Sequence, residues 1–410
     1  MFRMTPPLLD IRIDSAAFHE GAHATYARLR AEAPISRARL PGGREAWLLA
    51  RHGDVAALLR DPRFTKNPTT LVPPPRQPWL PPPFRPLLQN MLGLDDPDHA
   101  RLRRLVQQAF TPRAVAAMRP VVATLCDDLL DRALARPAFD LVADFALPLP
   151  AIVIADMLGV PAKDYGRFTR WSRILLSAPR SRLGALVALP SIWRFIGYIR
   201  DLLRARRLAP RDDLVSALIR AQEGGAGLSE DELLAMVILL LTGGHETTAN
   251  LIGNAMLALL REPARLAWLR DTPMVMEAAV EELLRHSGPV ETTTDRYARV
   301  PLELAGAAIP QGALVLGLIA SANRDESVFD KPNELLLDRQ PNRHLSFGLG
   351  GHFCVGAALA RLEGEVALTA LLRRAPGLAL AQPDARPAWR AGLVLRGLER
   401  LQVIVVDAAG

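Results

Sequence analysis

The sequence predicts a mainly α-helical protein with a minor β portion, folded as a single domain over residues 1–410. Three observations carry this. From Asp98 to about Gly288 apolar residues recur at helical spacing in eight segments: 98–110, 112–136, 141–158, 162–176, 190–208, 212–222, 229–261 and 273–287. After Pro289 the pattern changes to short β-like runs, Thr292–Tyr297, Leu302–Leu304 and Ala313–Leu318, then one more helix, 355–374, and a strand pair near 391–406. No segment beyond residue 90 has a linker's composition, and no repeat period is present.

Taken in order, residues 1–20 are expected to be loosely ordered, and the region from Arg28 to Arg60 mixes a helical start with alternating runs such as Ala46-Trp47-Leu48-Leu49. Asp54–Arg60 reads as a helix ended by Asp61-Pro62. Residues 71–86 hold eight prolines, which excludes regular helix or a central strand. The segment is expected to be an extended loop, and its Trp79, Leu80 and Phe84 suit a loop that covers something. Ser229-Glu230-Asp231-Glu232 is a capping box with Leu228 and Leu233 as a hydrophobic staple. It opens a helix reaching Arg261, before Glu262-Pro263, roughly 50 Å long at 1.5 Å per residue. Thr272-Pro273 and Gly288-Pro289 bracket the next.

The composition narrows the function. Half of the chain is hydrophobic, enough for a large core, and only 5% is aromatic, which argues against a stacking surface for sugars or nucleic acids. The net charge of +7 comes from 47 arginines and three lysines, Lys66, Lys163 and Lys331, spread along the chain without a basic block. Nucleic acid is therefore not the expected partner, whereas an acidic protein or carboxylate-bearing ligands fit. Two cysteines, Cys126 and Cys354, exclude a disulfide framework and point to a reducing compartment. The longest strongly apolar stretch, Leu233–Leu241, is too short for a bilayer, so a cytoplasmic protein without membrane insertion is expected.

Four constellations carry chemistry. Phe347-Gly348-Leu349-Gly350-Gly351-His352-Phe353-Cys354-Val355-Gly356 precedes an apolar-periodic helix. A helix N-terminus stabilises a thiolate, the metal-binding form of cysteine, and glycines let backbone N–H groups approach sulfur. The plain alternative is a buried cysteine beside a glycine-rich turn. Gly243-Gly244-His245-Glu246-Thr247-Thr248 stands in the middle of the long helix. Two glycines there cost about 1 kcal/mol each against alanine. A close-lying flat ligand would explain them, and so would a helix–helix contact of small residues. The Thr247 hydroxyl can also bond the carbonyl four residues back and loosen the helix. Glu282 and Arg285 share one helix face, where most such pairs are solvated and worth under ~1 kcal/mol. His99 and Arg103 lie on one side of their helix, with Arg101 and Arg104 opposite; a solvated basic helix would account for all four.

Together these motifs resemble the cytochrome P450 family, soluble bacterial members in particular, from Tyr26-Ala27-Arg28-Leu29-Arg30 to the end of the chain. The decapeptide meets every defined position of the family's Phe-Gly-x-Gly-x-His/Arg-x-Cys-x-Gly signature. The resemblance implies a triangular helical prism with small sheets and a haem b whose iron is held by Cys354. His352, His99, Arg103, Arg296 and His344 would contact the propionates. Phe347, Gly348 and Gly356 would shape the cysteine loop, and Gly243 and Gly244 would face the haem. Glu246 and Thr247 would relay protons to dioxygen, while Glu282, Arg285 and Arg339 would clamp the segment before the loop. His286 and Leu336 depart from the family pattern without touching a ligand. Cys126, on an amphipathic helix, is expected to be core.

The implied reaction is RH plus O2, two electrons and two protons giving ROH and water. No flavin or iron–sulfur motif is present. Electrons are then expected from NAD(P)H through a separate ferredoxin- or flavodoxin-type donor and its reductase, docking on Arg101, Arg104, Arg343 and Arg361 of a monomeric enzyme. The substrate is expected to be a mid-sized lipophilic molecule in a pocket drawn from residues 71–94, the 165–195 helices, Leu240–Thr247, Val290, Glu291, Thr292 and Val394. Macrolide- and polyketide-tailoring members carry segments similar to Pro289–Thr293, and fatty acids and terpenoids stay open. Glu291 reads either as a buried carboxylate with structural partners or as an anchor for a polar part of the substrate. A peroxide-driven peroxygenase conflicts with the intact Glu246-Thr247. A haem protein without turnover, or a cysteine hydrolase built on Cys354 and His352, has less support still.

Overall fold

The computed structural model describes residues 6–71, 74, 90–177, 182–223 and 228–406. The proline-rich segment, with Trp79, Leu80 and Phe84, lies outside them. Contacts group the chain into two compact units, each assembled from separate stretches of sequence.

The first unit comprises Met1–Pro75, Ala123–Ala146 and Thr247–Gly410. Its main sheet orders the strands Leu8–Leu9, Ile35–Arg39, Glu45–Leu49, Leu314–Gly317, Arg296–Ala298 and Phe64–Thr65. Both faces are covered. Ala46, Leu48, Leu314 and Leu316 turn to Tyr26 and Leu29 of the helix Ala16–Glu32. The alternate residues Leu49, Val315 and Ala298 turn to Val55 and Leu58 of the helix His52–Arg60. A period of two with apolar residues on both sides is what a sheet buried between helices requires. Order sets in earlier than expected: Leu8–Leu9 pair with Arg37–Ala38, Ile13 is buried, and Ser15 caps the first helix. The loose N-terminus expected through residue 20 therefore does not extend past Leu8 among the described residues.

Three other elements differ from the periodicity. The segment 112–136 is two helices, Pro112–Ala117 and Arg119–Leu134, because Pro120 lacks the N–H that would continue the first. The helix Pro263–Asp271 was not singled out, since Leu269 is its only fully buried residue and leaves little stripe to read. The strand Gln402–Val405 pairs with Leu378–Leu380 and Ala138–Asp140 rather than with residues just before it.

The second unit comprises Arg76–Val122 and Leu147–Glu246. Here the helix Tyr165–Ser177 packs on Pro148–Met157 and on Arg182–Leu208, which accommodates Pro190 within its length. Gly159 is in the left-handed region at φ 74°, and a Cβ there would stand 2.1 Å from Asp213 Oδ2, so only glycine fits. Buried Arg206 joins Asp213 to the Gly159 carbonyl. No helix among the described residues is long and apolar enough to cross a membrane.

The long helix runs unbroken from Glu230 to Leu260. Ser229 N–H donates to Glu232 Oε2 at 2.8 Å, and Glu232 N–H donates back to Ser229 Oγ at 3.2 Å, a reciprocal capping box. The helix stays α through Gly243–Thr247.

Candidate active site

In the first unit, Cys354 sits in the loop between a short helical turn, Gly350–His352, and the helix Ala357–Arg374. Cys354 N–H donates to the Phe347 carbonyl at 2.9 Å, and Phe353 N–H to Gly350 at 3.0 Å. Gly348 and Gly350 take φ of 69° and 72°, and a Cβ on Gly350 would meet the Leu59 carbonyl at 3.0 Å. The glycines thus let the loop fold back on itself and lie against the end of the helix His52–Arg60. The two cysteines have opposite surroundings. Cys126 is fully buried, with its thiol pushed up to about 12 by burial and by the nearby Glu363 and Asp127. Cys354 is exposed, one turn before a helix N-terminus, where a thiolate is favoured. A single accessible thiolate suits a metal that brings its equatorial ligands in a macrocycle, as haem does.

The loop is held from behind. Glu282 and Arg285 are entirely out of solvent. Arg285 Nε and Nη2 donate to the two Glu282 oxygens at 2.7 and 2.8 Å, and its remaining N–H groups reach the carbonyls of Asn323, Pro332 and Glu334. Arg339 Nε shares the same carboxylate at 3.0 and 3.1 Å, joined by Asn342 and the Leu336 N–H. Asn323 then accepts from Leu345 N–H at 2.7 Å and donates to Ser346 Oγ, one residue before Phe347. The structure thus brings Glu282, Arg285 and Arg339 together and links them to the cysteine loop.

A second brace was not anticipated. Arg361 donates to Glu281 at 2.6 and 2.9 Å while its guanidinium covers the Phe347 ring at 4.4 Å. His344 Nε2–H donates to Glu281 at 3.1 Å, and His344 Nδ1 accepts from Ser346 N–H. Burial pushes the Glu281 carboxyl up, yet the bonds and charges of His344 and Arg361 outweigh it and hold it at about 2. Both ring nitrogens of His344 are therefore engaged within the protein. Arg361, expected on a docking surface, is committed to Glu281 and Phe347. Arg343 is exposed, Arg296 is buried at the start of its strand, and His352 and Gly356 flank the thiol.

The wall segments lie in this unit too. Val290 bridges Leu395, Glu291 N–H donates to the Val394 carbonyl at 2.8 Å, and Thr292 Oγ1 donates to the Leu393 carbonyl. The Glu291 carboxylate meets the helix Ala16–Glu32. The side chain is 1% exposed and accepts from Tyr26, with His19 Nδ1 3.8 Å from the other oxygen. Of the two readings of Glu291, the buried carboxylate with structural partners is the one these contacts favour, through Oε1 and Tyr26, while Oε2 has no hydrogen-bond partner among the described residues. Thr247 is half-buried.

In the second unit, Gly243 is exposed in the middle of an otherwise largely buried helix, and a Cβ there would meet nothing within 4 Å. Gly244 faces Ile154 at 3.5 Å, Glu246 is half-buried and Leu240 is buried. The open side of Gly243 is room of the kind a flat ligand needs. His99 is buried with Nδ1 3.2 Å from Asp96, and Arg103 is half-buried on the same helix. Arg101, expected from the helical wheel to face a partner, instead pairs with Asp98 and with Glu232 of the capping box. Arg104 is exposed.

The family profile described as Cytochrome P450 matches residues 64–271 and 270–375. Cytochrome P450 107B1 of Saccharopolyspora erythraea is 42% identical over 397 residues, covering 94% of this chain and 96% of its own. The mycinamicin IV hydroxylase/epoxidase of Micromonospora griseorubida is 41% identical, covering 92% and 94%. Among solved structures, the cytochrome P450 PksS of the Bacillus subtilis bacillaene polyketide synthase superposes with a TM-score of 0.90 at 38% identity, over 97% of this chain and 100% of that one.

Proposed function

The chain belongs to the cytochrome P450 family and is a monooxygenase, and on that premise we propose that Cys354 holds the iron of haem b and that the substrate is a lipophilic small molecule, hydroxylated or epoxidised. The observation that carries the assignment is the exposed thiol of Cys354 at a helix N-terminus, in contrast to the buried Cys126.

When bound, the haem supplies the activation of dioxygen. The residues of this chain supply the rest. The Phe347 carbonyl and the helix Ala357–Arg374 fix the thiolate. The Glu282–Arg285–Arg339 cluster fixes the segment leading to it. His99, Arg103, Arg296 and His352 would pair with propionates, and His344 would do so only on giving up Glu281 or Ser346. Thr247 Oγ1 would hold a proton toward the reacting oxygen, refilled through the Glu246 carboxyl. Electrons from NAD(P)H would arrive through a ferredoxin- or flavodoxin-type donor. Of the four arginines proposed to receive it, Arg104 and Arg343 keep their exposure.

Val290, Thr292, Val394 and Leu240 remain the proposed pocket residues, an apolar and hydroxylated set. A relative named as a mycinamicin IV hydroxylase/epoxidase and a structural neighbour named for a polyketide synthase make macrolides and polyketides the first class to test. Titrating the holoenzyme with a library of macrolides, polyketides, fatty acids and terpenoids should give a haem spin-state shift with the first class. Saturable shifts confined to fatty acids would redirect the substrate proposal without touching Cys354.

A further inference from the structure

The two segments proposed to form the pocket wall are held in unequal ways. Val290–Thr292 is fixed by main-chain contacts with its neighbours. Ala320 N–H donates to the Glu291 carbonyl at 3.2 Å, Thr293 N–H donates to the Gly317 carbonyl at 2.8 Å, and Thr292 bridges Leu318. The turn Gly392–Arg396 lies against this segment, its Val394 and Leu393 carbonyls accepting from Glu291 N–H and Thr292 Oγ1. The turn is tight, since a Cβ on Gly392 would meet the Leu395 carbonyl at 2.7 Å. Gly392 N–H donates to the Asp14 carbonyl and Arg396 N–H to the Pro289 carbonyl, which sets the course of the chain.

Both ends of the turn are gripped by side chains of the helix Ala16–Glu32. His19 is wholly out of solvent, with Nε2 3.0 Å from the Gly392 carbonyl. A carbonyl only accepts, so His19 Nε2 carries the hydrogen. At the other end, Arg396 Nη1 donates to His23 Nε2 at 2.8 Å and Arg396 Nη2 to the His19 carbonyl at 2.9 Å. His19 and His23 stand four residues apart and so share one helix face. Their Nε2 atoms act in opposite senses, one donating and one accepting, as two neutral imidazoles in different tautomers can. Both rings are held neutral. Burial lowers His19 in spite of the nearby Glu291, and burial, Arg324 and Arg396 hold His23 well below the ordinary histidine range.

We propose that His19 and His23 are positioning residues: by gripping the two ends of the turn they hold half-buried Val394 against Val290 and Thr292, and so set the size of molecule that the pocket accepts. They act through the turn and not by contact with substrate. Glu291, whose segment is fixed by the main chain, lies outside this grip. The inference rests on the proposed assignment of Val290, Thr292 and Val394 to the pocket.

Azoles that ligate haem iron report the pocket through a shift of the Soret band. A graded pair, 4-phenylimidazole and 4-(4-biphenylyl)imidazole, measures size preference in the holoenzyme, with imidazole itself as the control for access to iron. His19→Leu should change the ratio of the two Kd values about fivefold, the factor that matches the net worth of one hydrogen bond, and leave the Kd of imidazole unchanged. His19→Gln, whose amide can still donate to the Gly392 carbonyl, should keep the wild-type ratio. A His19→Leu holoenzyme with a lowered Tm and the wild-type ratio would overturn the proposal. His23→Leu frees only the Arg396 end and carries the same test should His19→Leu yield no holoenzyme. Val394→Ala separates the two ways of failing. A ratio moved by Val394→Ala and by neither histidine variant sinks the grip alone, whereas a ratio that Val394→Ala leaves unmoved sinks the pocket assignment and the grip with it.

Discussion

The hydroxyl of Tyr26 donates to Glu291 Oε1 across 265 residues of sequence at 2.5 Å, and both side chains are out of solvent. Burial and the neighbouring Glu291 charge hold the phenol well above its ordinary range, so it remains a donor at every working pH. The bond joins the first helix to the segment Val290–Thr292 of the proposed pocket wall. Glu291→Gln should therefore destabilise the holoenzyme by about 1–3 kcal/mol, the range for disturbing a buried hydrogen bond. Substrate affinity read from the haem spin shift should stay unchanged. Weakened binding at an unchanged Tm would restore the anchor role.

Glu282 is the shared acceptor of Arg285 and Arg339. Removing it strands two buried guanidiniums, and Glu282→Ala should cost about 3–5 kcal/mol, as expected when one partner of a buried pair is lost. Urea unfolding of the holoenzyme measures this directly. A loss below about 1 kcal/mol would show that the carbonyls around Arg285 suffice.

How far the sequence reaches is clearest at this cluster. Glu282, Arg285 and Arg339 were readable because a motif spaces them, and the capping box at Ser229 and Glu232 because local chemistry dictates it. Glu281 was not, although it is adjacent: its partners His344 and Arg361 lie 63 and 80 residues away. Tyr26 and Glu291 carry no mutual signal for the same reason. Pro190 misplaced a helix start because it stands inside the helix Arg182–Leu208 and not in its first turn. Gly243 carries a local signal, a glycine in a helix interior, and a Cβ there would meet nothing within 4 Å.

Glu363 is a buried carboxyl on the helix after Cys354, raised to about 8 by burial, with Oε2 unpartnered among the described residues. Its folded value lies above its unfolded one, so the folded protein holds the extra proton between about pH 4.5 and 8. Stability from this group is then present at the acid end and lost as pH rises through that window. Glu363→Gln, which cannot ionise, should melt like the wild type near pH 5 and several degrees higher at pH 8. Parallel pH profiles of the two proteins would rule out this ionisation.

Thr247→Ala should leave haem and substrate binding intact while product per NAD(P)H falls, on the order of 10²-fold for loss of a positioned proton donor, with electrons appearing as hydrogen peroxide. Unchanged coupling would place the proton path elsewhere.

The haem-thiolate assignment is tested most directly by the spectrum of the reduced protein under carbon monoxide. The wild type should show the far-red-shifted Soret band of a thiolate-ligated ferrous carbonyl, and Cys354→Ser and Cys354→His should both lack it. A wild type that purifies without haem or without that band, or a Cys354→Ser protein that retains it, would contradict the account.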